Sequence, residues 1–146
     1  MSLHIRQATL QDYHAITKLV GELGYPNGEQ IIEDRLSLIS QHADHIVFVA
    51  EKNNTILGWI HAYKVLTIES GIFVEIGGLV VSESTRGQGI GRNLVMTIRQ
   101  WAHHNQILQI RARSNIVRTD THRFYLQLGF QKIKEQMVFC ESIINT

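Results

Sequence analysis

The stretch Gly78-Leu-Val-Val-Ser-Glu-Ser-Thr-Arg-Gly-Gln-Gly-Ile-Gly-Arg92 decides the fold. Its apolar start, Leu79, Val80 and Val81, reads as the end of a strand, and the polar residues after it as a short loop. That loop delivers Arg86 and three alternating glycines, Gly87, Gly89 and Gly91, to the start of a helix. Such a junction is built to hold an anion. Glycine lets the backbone come close and take unusual dihedrals, so successive N–H groups can point at phosphate oxygens. The helix adds the positive end of its dipole and the unpaired N–H groups of its first turn.

Spacing narrows the ligand. A P-loop ends in Gly-Lys-Ser/Thr, whereas Gly91 is followed by Arg92 and Asn93. A dinucleotide loop needs Gly-x-Gly-x-x-Gly. Counted from Gly87 and Gly89 its third glycine falls on Arg92, and counted from Gly89 and Gly91 it falls on Leu94. What remains is Arg86-x-x-Gly89-x-Gly91, which resembles the coenzyme A pyrophosphate motif of the GNAT superfamily of N-acetyltransferases. The plain alternative is a glycine turn that only caps a helix.

Composition excludes several other classes. With 146 residues the chain reads as one domain, 1–146, able to bury about two-thirds of its unfolded surface. A formal net charge of +1 gives no reason to expect nucleic acid or an anionic membrane as partner. No apolar run approaches the roughly 20 residues of a spanning helix. The start, Met-Ser-Leu-His-Ile-Arg, does not read as a signal peptide. The single Cys140 excludes an internal disulfide and suits a reducing compartment, so the expectation is cytoplasmic. Cys140 itself reads as a small core residue. The eight histidines include the pairs His42/His45 and His103/His104, but metal-binding spacing is missing. Scattered surface histidines, with no metal, are the expectation.

Along the chain, Leu3–Gln7 alternates as a strand. Thr9 is a helix N-cap with Asp12 three residues on, and Ile16, Leu19, Val20 and Leu23 follow at helical spacing before Gly24. After a loop from Gly24 to Gly28, Ile32, Leu36 and Ile39 share one face of a helix over about 29–41. Strands over Ile46–Glu51 and Ile56–Ile68 flank an Asn53-Asn54 turn. A strand over Phe73–Val81 feeds the glycine loop, and Ile90, Leu94, Ile98 and Trp101 stripe the helix after it. A strand over Ile107–Ala112, with Leu108, Ile110 and Ala112 on one side, should run parallel to the strand before the helix. Thr121–Leu128 reads as a helix stopped by Gly129, and Phe130–Ile133 with Met137–Cys140 as a closing hairpin.

This order is similar to the GNAT fold over nearly the whole chain. It implies a mixed α+β, mostly antiparallel central sheet of six to seven strands with helices on both faces. The cofactor implied is acetyl-coenzyme A, bound by Leu79, Val80, Val81, Arg86, Gly87, Gln88, Gly89, Ile90, Gly91 and Arg92. In the family the strand matching Phe73–Val81 splays from the next one, and the pantetheine arm inserts there as though it were a strand. Gly77-Gly78 in that strand reads as a bulge or close backbone approach.

Downstream, Phe124-Tyr125-x-x-Leu128-Gly129-Phe130 looks like the last segment shared by the family, whose matching tyrosine sits near the sulfur of coenzyme A. A phenol with pKa about 10 is still protonated at neutral pH and can supply the departing thiolate. A packing tyrosine is the alternative for Tyr125. Asn115 resembles the family asparagine that bonds the ligand, with Arg118 or Ser114 as alternatives. The longer spacing Asn-x-x-Arg-x-x-x-His-x-Phe-Tyr is similar to aminoalkylphosphonate N-acetyltransferase-like members. Glu75 lies among apolar neighbours in a strand, where acidic residues are poor formers. It reads either as the general base for an amine, with burial raising its pKa, or as a strand glutamate that is solvated or paired with an arginine.

The resemblance implies an enzyme moving an acetyl group from acetyl-coenzyme A to a primary amine of a small molecule by direct attack. Glu75 and Tyr125 are its expected catalytic residues. The alternatives are a non-catalytic acyl-coenzyme A sensor and a protein N-terminal or lysine acetyltransferase. Homodimers are common in the family, and nothing in the sequence speaks for one here. Glu29, Glu33 and Asp34 either attract a cationic acceptor or form a solvated helix face.

Overall fold

Five strands form one sheet in chain order: β1 (His4–Gln7), β2 (His45–Lys52), β3 (Thr55–Thr67), β4 (Gly71–Val81) and β5 (Ile110–Ala112). The first four pair antiparallel, and β5 lies parallel to β4. The computed structural model describes residues 2–22, 28–114 and 116–144. They fall in two compact units, Met1–Arg113 and Ser114–Thr146.

In the first unit, helices α1 (Tyr13–Glu22) and α2 (Glu29–Ser40) cover one face of the sheet. Ile16, Ile32 and Leu36 pack there on Val47 and Val49, with Trp59 against the cluster. Helix α3 (Ile90–His104) covers the other face with Ile90, Leu94, Ile98 and Ala102, a stripe at steps of four. A Cβ on Gly58 would meet Ile90 and Leu94, so that glycine lets α3 sit close on the sheet. Burying the fully enclosed Ile60, Leu94 and Ile98 contributes about 1.5–3 kcal/mol each. Thr9 caps the turn Leu10–Asp12, and its N–H donates to Asp12 Oδ2 at 2.7 Å. Asn53 and Asn54, both with positive φ, form the two-residue turn between β2 and β3.

Three expectations need correcting. Strand β5 begins at Ile110, because residues 106 and 107 close α3 instead. Gln106 takes φ 60° and the Ile107 N–H donates to the Ala102 carbonyl, a left-handed helix stop. Ile107 is therefore buried, and Leu108, expected to share a side with Ile110 and Ala112, is 92% exposed. Second, the sheet has five strands where six to seven were expected, since residues 130–144 carry no strand. A lone hairpin is marginal in water unless one face packs, and Met137, Val138 and Phe139 are exposed. Third, Cys140 lies in that segment and is exposed rather than in the core. The second unit contains α4 (Thr119–Gln127), on which Tyr125 contacts Phe124 and Phe130 edge-on.

Candidate active site

The glycine loop takes the shape that its composition demands. After a short turn over Glu83–Thr85, Gly87 and Gly89 adopt φ 85° and 81°, a region that favours glycine. Gly89 is the N-cap of α3, Ile90 is buried as its first residue, and Gly91 continues the first turn. Among the described residues nothing lies within 4 Å of a Cβ built on Gly87 or Gly89, so both positions are open. Arg86, Gln88 and Arg92 are exposed around it. Two guanidinium groups and a helix N-terminus at one open loop fit a doubly charged anion such as a pyrophosphate.

Strand β4 leads from this loop to a bulge. It pairs with β3 along its length, but the register shifts where His61 faces Gly78 and Ala62 faces Ile76, leaving Gly77 as the extra residue. On its other side the ladder to β5 covers only Val74 to Ile76. From Gly77 to Val81 that edge has no strand partner among the described residues. The hydrogen-bond phase shows which groups face it. The Val74 N–H donates to Gln109 on the β5 side, whereas the Ser82 N–H donates to Leu57 on the β3 side. Residues 74 and 82 would point the same way in an unbroken strand, so the bulge has inverted the phase. The N–H groups of Leu79 and Val81 consequently point to the free edge, and Val80 buries its side chain.

Beneath the bulge lie the side chains of alternate β3 residues. A Cβ on Gly78 would come within 2.8 Å of the Trp59 ring, and one on Gly77 within 2.8 Å of the Tyr63 ring and 3.1 Å of His61 Nδ1. Trp59, His61 and Tyr63 thus occupy the space that two missing side chains leave. Trp59 Nε1 is buried with no hydrogen-bond partner among the described residues.

Glu75 is buried on the same face, and both of its oxygens are engaged. The Tyr63 hydroxyl donates to Oε2 at 2.5 Å and Arg113 Nε donates to Oε1 at 2.7 Å. Glu75 is thus paired with an arginine. Burial, then the bond to Glu75, pushes the Tyr63 phenol up to about 12, and the same carboxylate raises the Arg113 guanidinium.

Two histidines join this face unannounced. His45 Nδ1 and His61 Nε2 are 2.9 Å apart, and the His45 ring stacks on both His61 and Tyr63. His42 leans on His45 from beyond α2. Burial, then His45, drives His61 down to about 4, and burial, then His42, lowers His45. These histidines are clustered, not scattered. No group of three or more metal-ligating side chains occurs among the described residues. The pattern Trp59-x-His61-x-Tyr63 on a strand was the available signal, since alternate residues share a face.

In the second unit, burial pushes the Tyr125 phenol up to about 12 against an opposing effect of Arg118, so it stays protonated at neutral pH. Ser114 and Arg118 are exposed, and Asn115 lies outside the described residues.

Comparison with known proteins adds four observations. Residues 10–130 match the model of the acetyltransferase (GNAT) family. The chain is 25% identical over 130 residues to the uncharacterized N-acetyltransferase YhdJ of Bacillus subtilis, covering 88% of this chain and 92% of that protein. It is 30% identical over 92 residues to rat N-acetyltransferase 8F1, covering 62% of this chain but only 42% of the rat protein. Among solved structures, AAC(6')-Iy in complex with the bisubstrate analog CoA-S-monomethyl-acetylneamine superposes with a TM-score of 0.86 at 17% identity, over 98% of this chain and 100% of that one. No helix among the described residues is long and apolar enough to cross a membrane.

Proposed function

The chain belongs to the GNAT acetyltransferase family, and from that premise we propose that it moves an acetyl group from acetyl-coenzyme A to a primary amine of a small molecule by direct attack. The observation that carries this reading is the continuity of the anion loop with the free edge of β4. Gly87 and Gly89 present backbone N–H groups to the pyrophosphate, with Arg86 and Arg92 beside them. The N–H groups of Leu79 and Val81 then bond the amides of the pantetheine arm along that edge, and one of them stabilises the oxyanion when the carbonyl is attacked. Tyr125 is the proton donor to the departing thiolate, a role that its protonated state supports. Glu75 holds Tyr63 and Arg113 around the reacting end.

The acceptor must be neutral when it attacks, and a small amine reaches a site walled by Trp59, His61 and Tyr63 more readily than a folded protein does. Titration calorimetry with coenzyme A and thiol release from acetyl-coenzyme A with a panel of amines test the assignment. Arg86→Ala should weaken coenzyme A binding about tenfold, as loss of one charge-assisted contact does. Binding of coenzyme A without thiol release for any amine would instead favour the sensor reading. Failure to bind coenzyme A at all would refute both.

A further inference from the structure

On the acetyl-transfer reading, the reacting acyl group comes to the Gly77–Gly78 bulge. From Val81 back to Gly77 the free edge of β4 runs about 13 Å, at roughly 3.3 Å per residue. An arm bonded along that edge from the glycine loop therefore ends beside the bulge. The amine that attacks there is mostly ammonium at neutral pH, and its proton must leave.

Glu75 is the obvious destination and is already engaged on both oxygens, by Arg113 and by Tyr63. His61 is different. Its Nδ1 lies 3.1 Å from where a Gly77 Cβ would stand, hence at the bulge itself. Its Nε2 is bonded to His45 Nδ1 at 2.9 Å, so one ring of the pair donates and the other accepts. His45 in turn lines a cleft of about 410 Å³ at the end of α2, together with Gln7, Gln41 and His42. A continuous path of ring nitrogens thus joins the bulge to a polar cleft.

We propose that His61 and His45 form a two-ring relay that carries the proton of the acceptor ammonium from the Gly77–Gly78 bulge to the cleft beside α2. In the starting state His61 carries its proton on Nε2 and donates it to His45 Nδ1, leaving His61 Nδ1 as a free acceptor. The N–H bond of the ammonium breaks as His61 Nδ1 gains the proton. The Nε2 proton passes to His45 Nδ1, and the His45 Nε2 proton passes to water. The balance is an ammonium and a water converted to an amine and a hydronium ion, and no imidazolium accumulates. The rings regain their starting tautomers by exchange with water between turnovers. The surroundings suit such neutral transit. Around the pair stand His42 and Asp44 beside β2, Tyr63 on β3, Glu75 on β4 and Arg113 after β5. The charges of Glu75 and Arg113 are spent on each other. An imidazolium at His61 would be disfavoured by burial and by His45, which is why the proton must pass through rather than rest.

The test uses the full chain with spermidine, neamine, glucosamine and a peptide α-amine, taking the best-acetylated as probe. His61→Phe keeps a ring under the bulge and removes both nitrogens. Its kcat should fall at least tenfold across pH 6–9, with coenzyme A affinity by calorimetry within twofold of the parent. His45→Asn should lower kcat three- to tenfold, because water can replace the outer ring in part. In His61→Ala, added imidazole should restore part of the lost rate in a saturable way. The parent should show a curved proton inventory in mixed H2O and D2O, from more than one proton in flight, and His45→Asn a straighter one. Parent turnover with His61→Phe within twofold of it overturns the relay alone. So does a linear inventory in the parent. If the parent binds coenzyme A and acetylates none of the amines, the enzymatic reading falls and takes the relay with it.

Discussion

At the scale of single residues the site depends on what is missing. Gly77 and Gly78 are small because three rings of β3 need the room, and Gly77 also supplies the extra residue of the bulge. Gly77→Ala would place a methyl 2.8 Å from a Tyr63 ring carbon and 3.1 Å from His61 Nδ1. We expect a loss of about 1–3 kcal/mol, as for other overpacked positions, with coenzyme A affinity reduced as well. Gly21 is the control. It lies inside α1 with nothing among the described residues within 4 Å of where an alanine methyl would stand, so Gly21→Ala should stabilise by about 0.5–1 kcal/mol. Urea unfolding of both variants checks the pair. Equal effects of the two substitutions would mean that the rings can move away, and the tight packing under the bulge would then be no constraint.

At the scale of elements, much was legible because periodicity and capping are local. The stripe Ile90, Leu94, Ile98 and the glycines before it fixed α3, and Asn53-Asn54 fixed the β2–β3 turn. The crossover through α3 put β5 parallel to β4, as its handed geometry requires. What escaped notice depends on partners distant in sequence. Nothing local tells that Glu75 meets Arg113, or that His45 meets His61 across two strands. The helix stop at Gln106 was also hidden, since glutamine carries no preference for positive φ. The same limit applies to Arg6. Its guanidinium grips both oxygens of Asp12, at 2.8 and 2.9 Å, and reaches Glu51 on β2 at 3.2 Å. Asp12, read from sequence only as a partner of Thr9, thereby joins β1, the first turn and β2. Asp12→Ala should cost about 2–3 kcal/mol, more than the ~1 kcal/mol of a simple cap, because it also strands the arginine. A double-mutant cycle with Arg6→Ala measures the shared part. Additive losses would show that the two side chains act independently.

At the scale of the whole molecule, the perturbed groups give stability a two-step dependence on pH. His61 has its folded pKa lowered from an ordinary 6.5 to about 4, because burial and His45 both oppose a charge there. Below pH 6.5 the unfolded chain takes up a proton at this residue while the folded chain does not, so stability falls as the pH drops from 6.5 towards 4. His45 is lowered in the same direction and adds to the effect. Because His61 is partly exposed, the loss is discounted to roughly 1–2 kcal/mol. Asp12 acts lower down. The Arg6 guanidinium, opposed in part by burial, holds its carboxyl below the ordinary 3.8, so its contribution is complete above that value and is lost as the pH falls further. Thermal melts from pH 8 to pH 3 should therefore be flat above about 6.5, fall by about 3–6 °C towards pH 4, and fall again below it. His61→Phe should remove most of the first step and leave the second, while Asp12→Ala should do the reverse. A first step undiminished in His61→Phe would assign it to other histidines, His45 among them.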